Sequence, residues 1–88
     1  MGNAVKLGDK DTGHGSHSPT PVITGSSTVK VDGLPVARLG DTLASHGHNR
    51  TISGGSSSVF IDGQPAARTG DAVNCGGVLI GGGSVNIG

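Results

Sequence analysis

The chain has 88 residues, 18 of them glycine, Phe60 is its single aromatic side chain, and six basic residues balance six acidic ones. That length fits one small domain spanning 1–88, the shortage of bulky apolar side chains leaves little from which to build a core, and the neutral balance argues against nucleic-acid and anionic-membrane partners. No apolar stretch approaches the roughly 18 residues that cross a bilayer, so stable membrane insertion is not expected. Met1 to Gly8 also lacks the apolar run of a cleavable secretory signal, which places the chain in the cytoplasm on synthesis.

In chain order, the first landmark is Leu7-Gly8-Asp9. The segment from Ser27 to Asp41 then aligns without a gap against Ser57 to Asp71, an offset of 30 residues. Ser84-Val85-Asn86-Ile87-Gly88 begins a further copy that stops where the others have Asp32 or Asp62. Three units are therefore expected, one of them split between the ends of the chain, so the two ends should lie close together.

Within each unit the pairs Val29/Val31, Val59/Ile61 and Val85/Ile87 alternate with Lys30, Phe60 and Asn86. That period of two predicts short strands with the β-branched pair facing inward. Asp32-Gly33 and Asp62-Gly63 are two-residue hairpin signals, because both central positions tolerate positive φ. Pro35 and Pro65 follow where a missing amide donor demands an edge or irregular position. No window supports an amphipathic helix. The expected architecture is all-β: a small conical β-repeat with pseudo-threefold symmetry and a metal at its apex.

The metal follows from what trails each Gly-Asp pair. Gly8-Asp9 leads to His14, Gly40-Asp41 to His46 and His48, and Gly70-Asp71 to Cys75. Three imidazoles and a thiolate make a tetrahedral set suited to zinc, and four protein ligands leave no open position, which marks a structural site. A lone cysteine cannot close an internal disulfide, so Cys75 is either a free thiol or a ligand. His17 has no counterpart in the other units; it reads as a solvated loop residue, with replacement of His14 as the alternative. A structural zinc supplies about 10–16 kcal/mol of apparent folding energy, enough to offset the weak core. Other signals point to no chemistry. No Gly-x-Ser-x-Gly elbow joins a strand to a helix, no helix or lysine follows Gly76-Gly77 or Gly81-Gly82-Gly83, and Arg38 with Asp41 and Arg68 with Asp71 read as ion pairs across a turn.

These residues resemble the PAAR family, named for proline-alanine-alanine-arginine. Pro65-Ala66-Ala67-Arg68 matches the motif fully and Pro35-Val36-Ala37-Arg38 matches it with one conservative change. The resemblance implies a small cone capping the trimeric β-helical spike (VgrG) of a type VI secretion system, one copy per trimer, with zinc near the point. It implies a structural protein rather than an enzyme, secreted with the apparatus to the extracellular space or a target cell. Family members often carry toxin domains; no fused effector extension is expected here, and separate cargo effectors remain possible partners. Three other readings stand beside it: the tip of a phage-like contractile device, with the same physics; a small zinc hydrolase with Cys75 as a bystander, for which no positioned general base is visible; and a cytosolic zinc carrier with exchangeable metal and no spike partner.

Overall fold

The computed structural model describes residues 2–13, 18–45, 49–74 and 76–88. The described residues form eight strands of two residues each: β1 (Gly2–Asn3), β2 (Lys30–Val31), β3 (Leu34–Pro35), β4 (Thr42–Leu43), β5 (Arg50–Thr51), β6 (Phe60–Ile61), β7 (Gln64–Pro65) and β8 (Asn86–Ile87). They pair two by two, antiparallel, as β2 with β3, β4 with β5, β6 with β7, and β1 with β8. No helix occurs among the described residues. The fold is small, compact and all-β.

Three of these pairs are copies of one hairpin. Lys30 faces Pro35 and Phe60 faces Pro65, across turns in which Asp32 and Asp62 take φ of 54° and 53° and the following glycines 80° and 81°. Those left-handed pairs are what a two-residue turn between twisted strands demands. In the third copy Asn86 faces Asn3 and Ile87 faces Gly2, so the start and finish of the chain supply the two strands.

The inward pairing expected of the β-branched residues holds at one position and fails at the other. Val31, Ile61 and Ile87 join an apolar cluster with Ala4, Val36 and Ala66. Val29 and Val85, however, are 39% and 50% exposed, and only Val59 packs partly against that cluster. The buried hydroxyls of Ser26 and Ser56 accept from the amides of Val29 and Val59, and Gly82 stands at the equivalent position before Val85, so this bond does not decide which valine turns outward. Two-residue strands are too short to impose alternation over three positions.

The three units join through a closed circuit of backbone hydrogen bonds. The Ala37 amide donates to Val5 O (2.8 Å), Ala67 to Ala37 O (3.1 Å), and Val5 back to Ala67 O (3.3 Å). A second circuit runs beside it, from Leu7 to Pro35 O, Leu39 to Pro65 O and Thr69 to Asn3 O, at 2.9, 2.9 and 3.0 Å. Such close approach of three chains explains the motif. Ala66 and Ala67, with their counterparts Val36, Ala37, Ala4 and Val5, are all fully buried, and larger side chains there would force the circuit apart. Gly81 has the same origin: an added Cβ would lie 2.6 Å from the carbonyl oxygens of both Asn3 and Ala4.

The core is two small clusters rather than one large one. Beyond the hairpin cluster, Val5, Ala37, Ala67, Leu43, Val73, Val22, Ile52 and Leu79 form the second. The molecule measures 32 × 21 × 21 Å, one long axis and two equal short ones.

Candidate functional site

Each Gly-Asp pair builds a turn that launches a candidate ligand segment. Gly8, Gly40 and Gly70 take φ of 91°, 93° and 94°, a region open to glycine and strained for other residues. The carboxylates of Asp9, Asp41 and Asp71 accept from the amides of Lys6, Arg38 and Arg68, and the basic side chains of those residues close ion pairs on the same carboxylates at 3.0, 3.0 and 3.1 Å. The Lys6–Asp9 pair, unnoticed in the sequence, completes the set. The main-chain oxygens of the same aspartates accept from Val22, Ile52 and Leu79, which brings the returning chain alongside the outgoing one.

The three connections that carry the histidines and the cysteine are bracketed in the same way. Lys10 pairs with Pro21 around residues 14 and 17, β4 pairs with β5 around residues 46 and 48, and Ala72 pairs with Val78 around residue 75. A third circuit ties their flanks: Thr12 donates to Val78 O, Ala44 to Pro21 O and Asn74 to Thr51 O, at 2.9, 2.8 and 2.9 Å. Thr12 and Ala44 precede His14 and His46 by two residues, and Asn74 precedes Cys75 by one. His14, His17, His46, His48 and Cys75 themselves lie outside the described residues. Among the described residues no cluster of three or more His, Cys, Asp or Glu could hold a metal ion.

Directly inside these flanks the repeat is broken. Position by position, Asp11 stands where the other units have Leu43 and Val73, and Arg50 stands where they have Thr20 and Gly77; the backbone pairings Asp11–Thr20, Leu43–Arg50 and Val73–Gly77 establish the match. Arg50 is the largest fully buried side chain among the described residues. Its guanidinium donates to the Asp11 carboxylate, to Thr20 Oγ1 and to Gly76 O, and Thr20 donates its amide to Asp11 at 3.0 Å. Burial pushes the Asp11 carboxyl upward, but the Arg50 hydrogen bond, the Thr20 amide and the Arg50 charge together hold it below the usual carboxylate value. Aligning 42–52 with 10–22 and 72–79 would have shown a carboxylate and a guanidinium at positions that are otherwise apolar or small.

Exposed apolar side chains lie on and beside the hairpins at Val29, Leu34, Phe60 and Val85, with Phe60 58% exposed, and away from them at Ile23, Val78 and Ile80. Among the described residues no helix is long and apolar enough to cross a membrane.

Circuits of three equivalent turns, small buried residues at each junction and a ligand-bearing connection after each turn define a repeat protein whose units close on themselves. A family model described as the PAAR motif matches residues 12–81. The chain belongs to the PAAR-motif family. No curated protein matches it with significance. The PAAR motif is associated with type VI spike-tip proteins, and the family is structural rather than enzymatic.

Proposed function

We propose that this chain is the tip of a type VI secretion spike, seated as one copy on a VgrG homotrimer. The closed backbone circuits carry the reading. They give three equivalent hairpins to one chain, and three equivalent hairpins suit a partner made of three identical chains. The hairpin end supplies what docking needs, since the outer edges of β2, β6 and β8 have no strand neighbour among the described residues and exposed apolar side chains lie beside them. In solution those edges would be a liability; against a β-helical trimer they become the interface.

The other end is the point. One zinc ion held there by His14, His46, His48 and Cys75 would complete it, with His17 as the substitute for His14. The donor chemistry fits, being a thiolate with imidazoles in a number that closes a tetrahedral shell. The convergence of the flanking residues through the Thr12, Ala44 and Asn74 hydrogen bonds supports the same reading. Bound zinc would supply folding energy rather than reactivity. The chain's own residues do the rest: the turn aspartates fix the departure of each ligand segment, and the ring of buried alanines and valines resists axial load. In this role the protein leaves the cell with the spike.

Two measurements test the proposal. Native mass spectrometry of the chain with its cognate VgrG should give one copy per three partner chains; a three-to-three complex would contradict it. X-ray absorption on untagged protein should show zinc with one sulfur and three nitrogens. A shell of nitrogen and oxygen alone would favour a hydrolytic site instead.

A further inference from the structure

The ion pair between Asp11 and Arg50 is the least economical feature of the core. Both side chains are wholly removed from solvent. Replacing such a pair by apolar residues of similar volume is commonly neutral or stabilising, so its retention is weak evidence for a role in stability. The other two units solve the same packing problem with Leu43 and Val73. The position opposite Val73 is Gly77, where an added Cβ would lie 2.9 Å from both Asp11 Oδ2 and Gly13 O. One unit supplies the acid, a second supplies the base, and the third is pared back to make room. The three contributions are unlike, and so are the three connections just beyond them, with one candidate histidine, two histidines and a cysteine.

We infer that Arg50, anchored by Asp11 and Thr20, is a positioning residue for the metal, a buried plug that sets the three unlike ligand segments relative to one another. This rests on the zinc reading above. The guanidinium reaches all three connections: Asp11 and Thr20 bracket the first, Gly76 follows Cys75 in the third, and Arg50 itself closes the second, two residues after His48. A planar fork with five donors can join three chain segments at fixed angles, which an apolar side chain cannot. The backbone circuits treat the units alike and cannot tell one ligand segment from another. The plug can.

The test compares zinc affinity, by chelator competition on the full untagged chain, with thermal melting of the metal-stripped protein. Arg50→Met leaves the Asp11 carboxylate buried and alone, and should lower both. Asp11→Leu with Arg50→Met replaces the pair by apolar side chains, as Leu43 and Val73 do at the positions equivalent to Asp11. Its melting should recover, while zinc affinity stays about 10- to 100-fold below wild type. The visible spectrum of its cobalt(II) form should also depart from that of wild type, a ligand-field change that a purely structural role would not produce. Wild-type zinc affinity and an unchanged cobalt spectrum in a double variant of recovered stability overturn the positioning role and leave the zinc reading standing. A wild-type chain that takes up no zinc overturns both. Should the double variant fail to fold, Thr20→Val decides: it removes one hydrogen bond to Arg50 at nearly constant shape, zinc affinity should fall about fivefold, and an unchanged affinity overturns the inference.

Discussion

The two ends of this molecule follow opposite rules. At the hairpin end one strand pairing is used three times, and its turn twice, with φ angles within a degree of one another at Asp32 and Asp62. At the ligand end the backbone circuit still repeats, but the side chains inside it do not: aspartate, leucine and valine occupy one ring of positions, and threonine, arginine and glycine the next. Repetition suits the three-faced partner proposed above. A single ion has no three-fold preference for identical ligands, and on the zinc reading a repeat that holds unlike ones needs a local device that breaks its equivalence. On that proposal the contrast separates two jobs within one short chain.

The strongest challenge to it is Arg50→Ala. If the ligand end is organised around one buried pair, truncation should destabilise the chain by about 3–5 kcal/mol, because a carboxylate is left buried without its partner; chemical denaturation reads this directly, and a loss below 1 kcal/mol would mean water reaches Asp11. Next is the crowding that shapes the hairpin end. Gly81→Ala sets a methyl group against two carbonyl oxygens and should remove about 1–3 kcal/mol. Gly33→Ala, where nothing lies within 4 Å of an added Cβ, should lose only the smaller penalty of a strained φ of 80°. Equal losses at both sites would show that packing does not distinguish them. A smaller effect, about 1.5 kcal/mol, is expected for Asp71→Asn, which weakens the charged hydrogen bonds from the Arg68 amide and guanidinium.

The smallest effect is a dependence on pH. Hydrogen bonds from Ser26 and Thr28, helped by the Arg38 charge, hold the exposed Asp62 carboxyl below its ordinary value of 3.8. A depressed folded-state value means that its contribution is complete above 3.8 and fades as pH falls through the lower value of the native protein. Wild type should therefore melt above Asp62→Asn near neutrality, and the two curves should merge in acid. A constant gap down to the lowest accessible pH would assign the difference to shape rather than charge.

Much of this was readable from residue types. The repeat, the hairpins, the adjacency of the chain ends and the ion pairs of Arg38 and Arg68 all follow from short-range rules: a turn with two positive-φ positions, a missing proline amide, a basic residue three before an acid. Lys6–Asp9 obeys the same rule and lacked only the proline and arginine that flag its counterparts. The outward turn of Val29 and Val85 was illegible because each lies just before a two-residue strand, too short for strand periodicity to reach it. Asp11 and Arg50 were hidden for a different reason. Thirty-nine residues separate them, and each alone looks like an ordinary surface charge; only burial, a property of the assembled ring, makes them partners.

The circuit through Val5, Ala37 and Ala67 has a kinetic consequence. Each amide leans on the carbonyl of the next unit, so no unit can swing away without breaking two of the three bonds. Any local opening must therefore disrupt two junctions at once, and the protons of Val5, Ala37 and Ala67 should trade with deuterated solvent more slowly than those of Gly33 and Gly63.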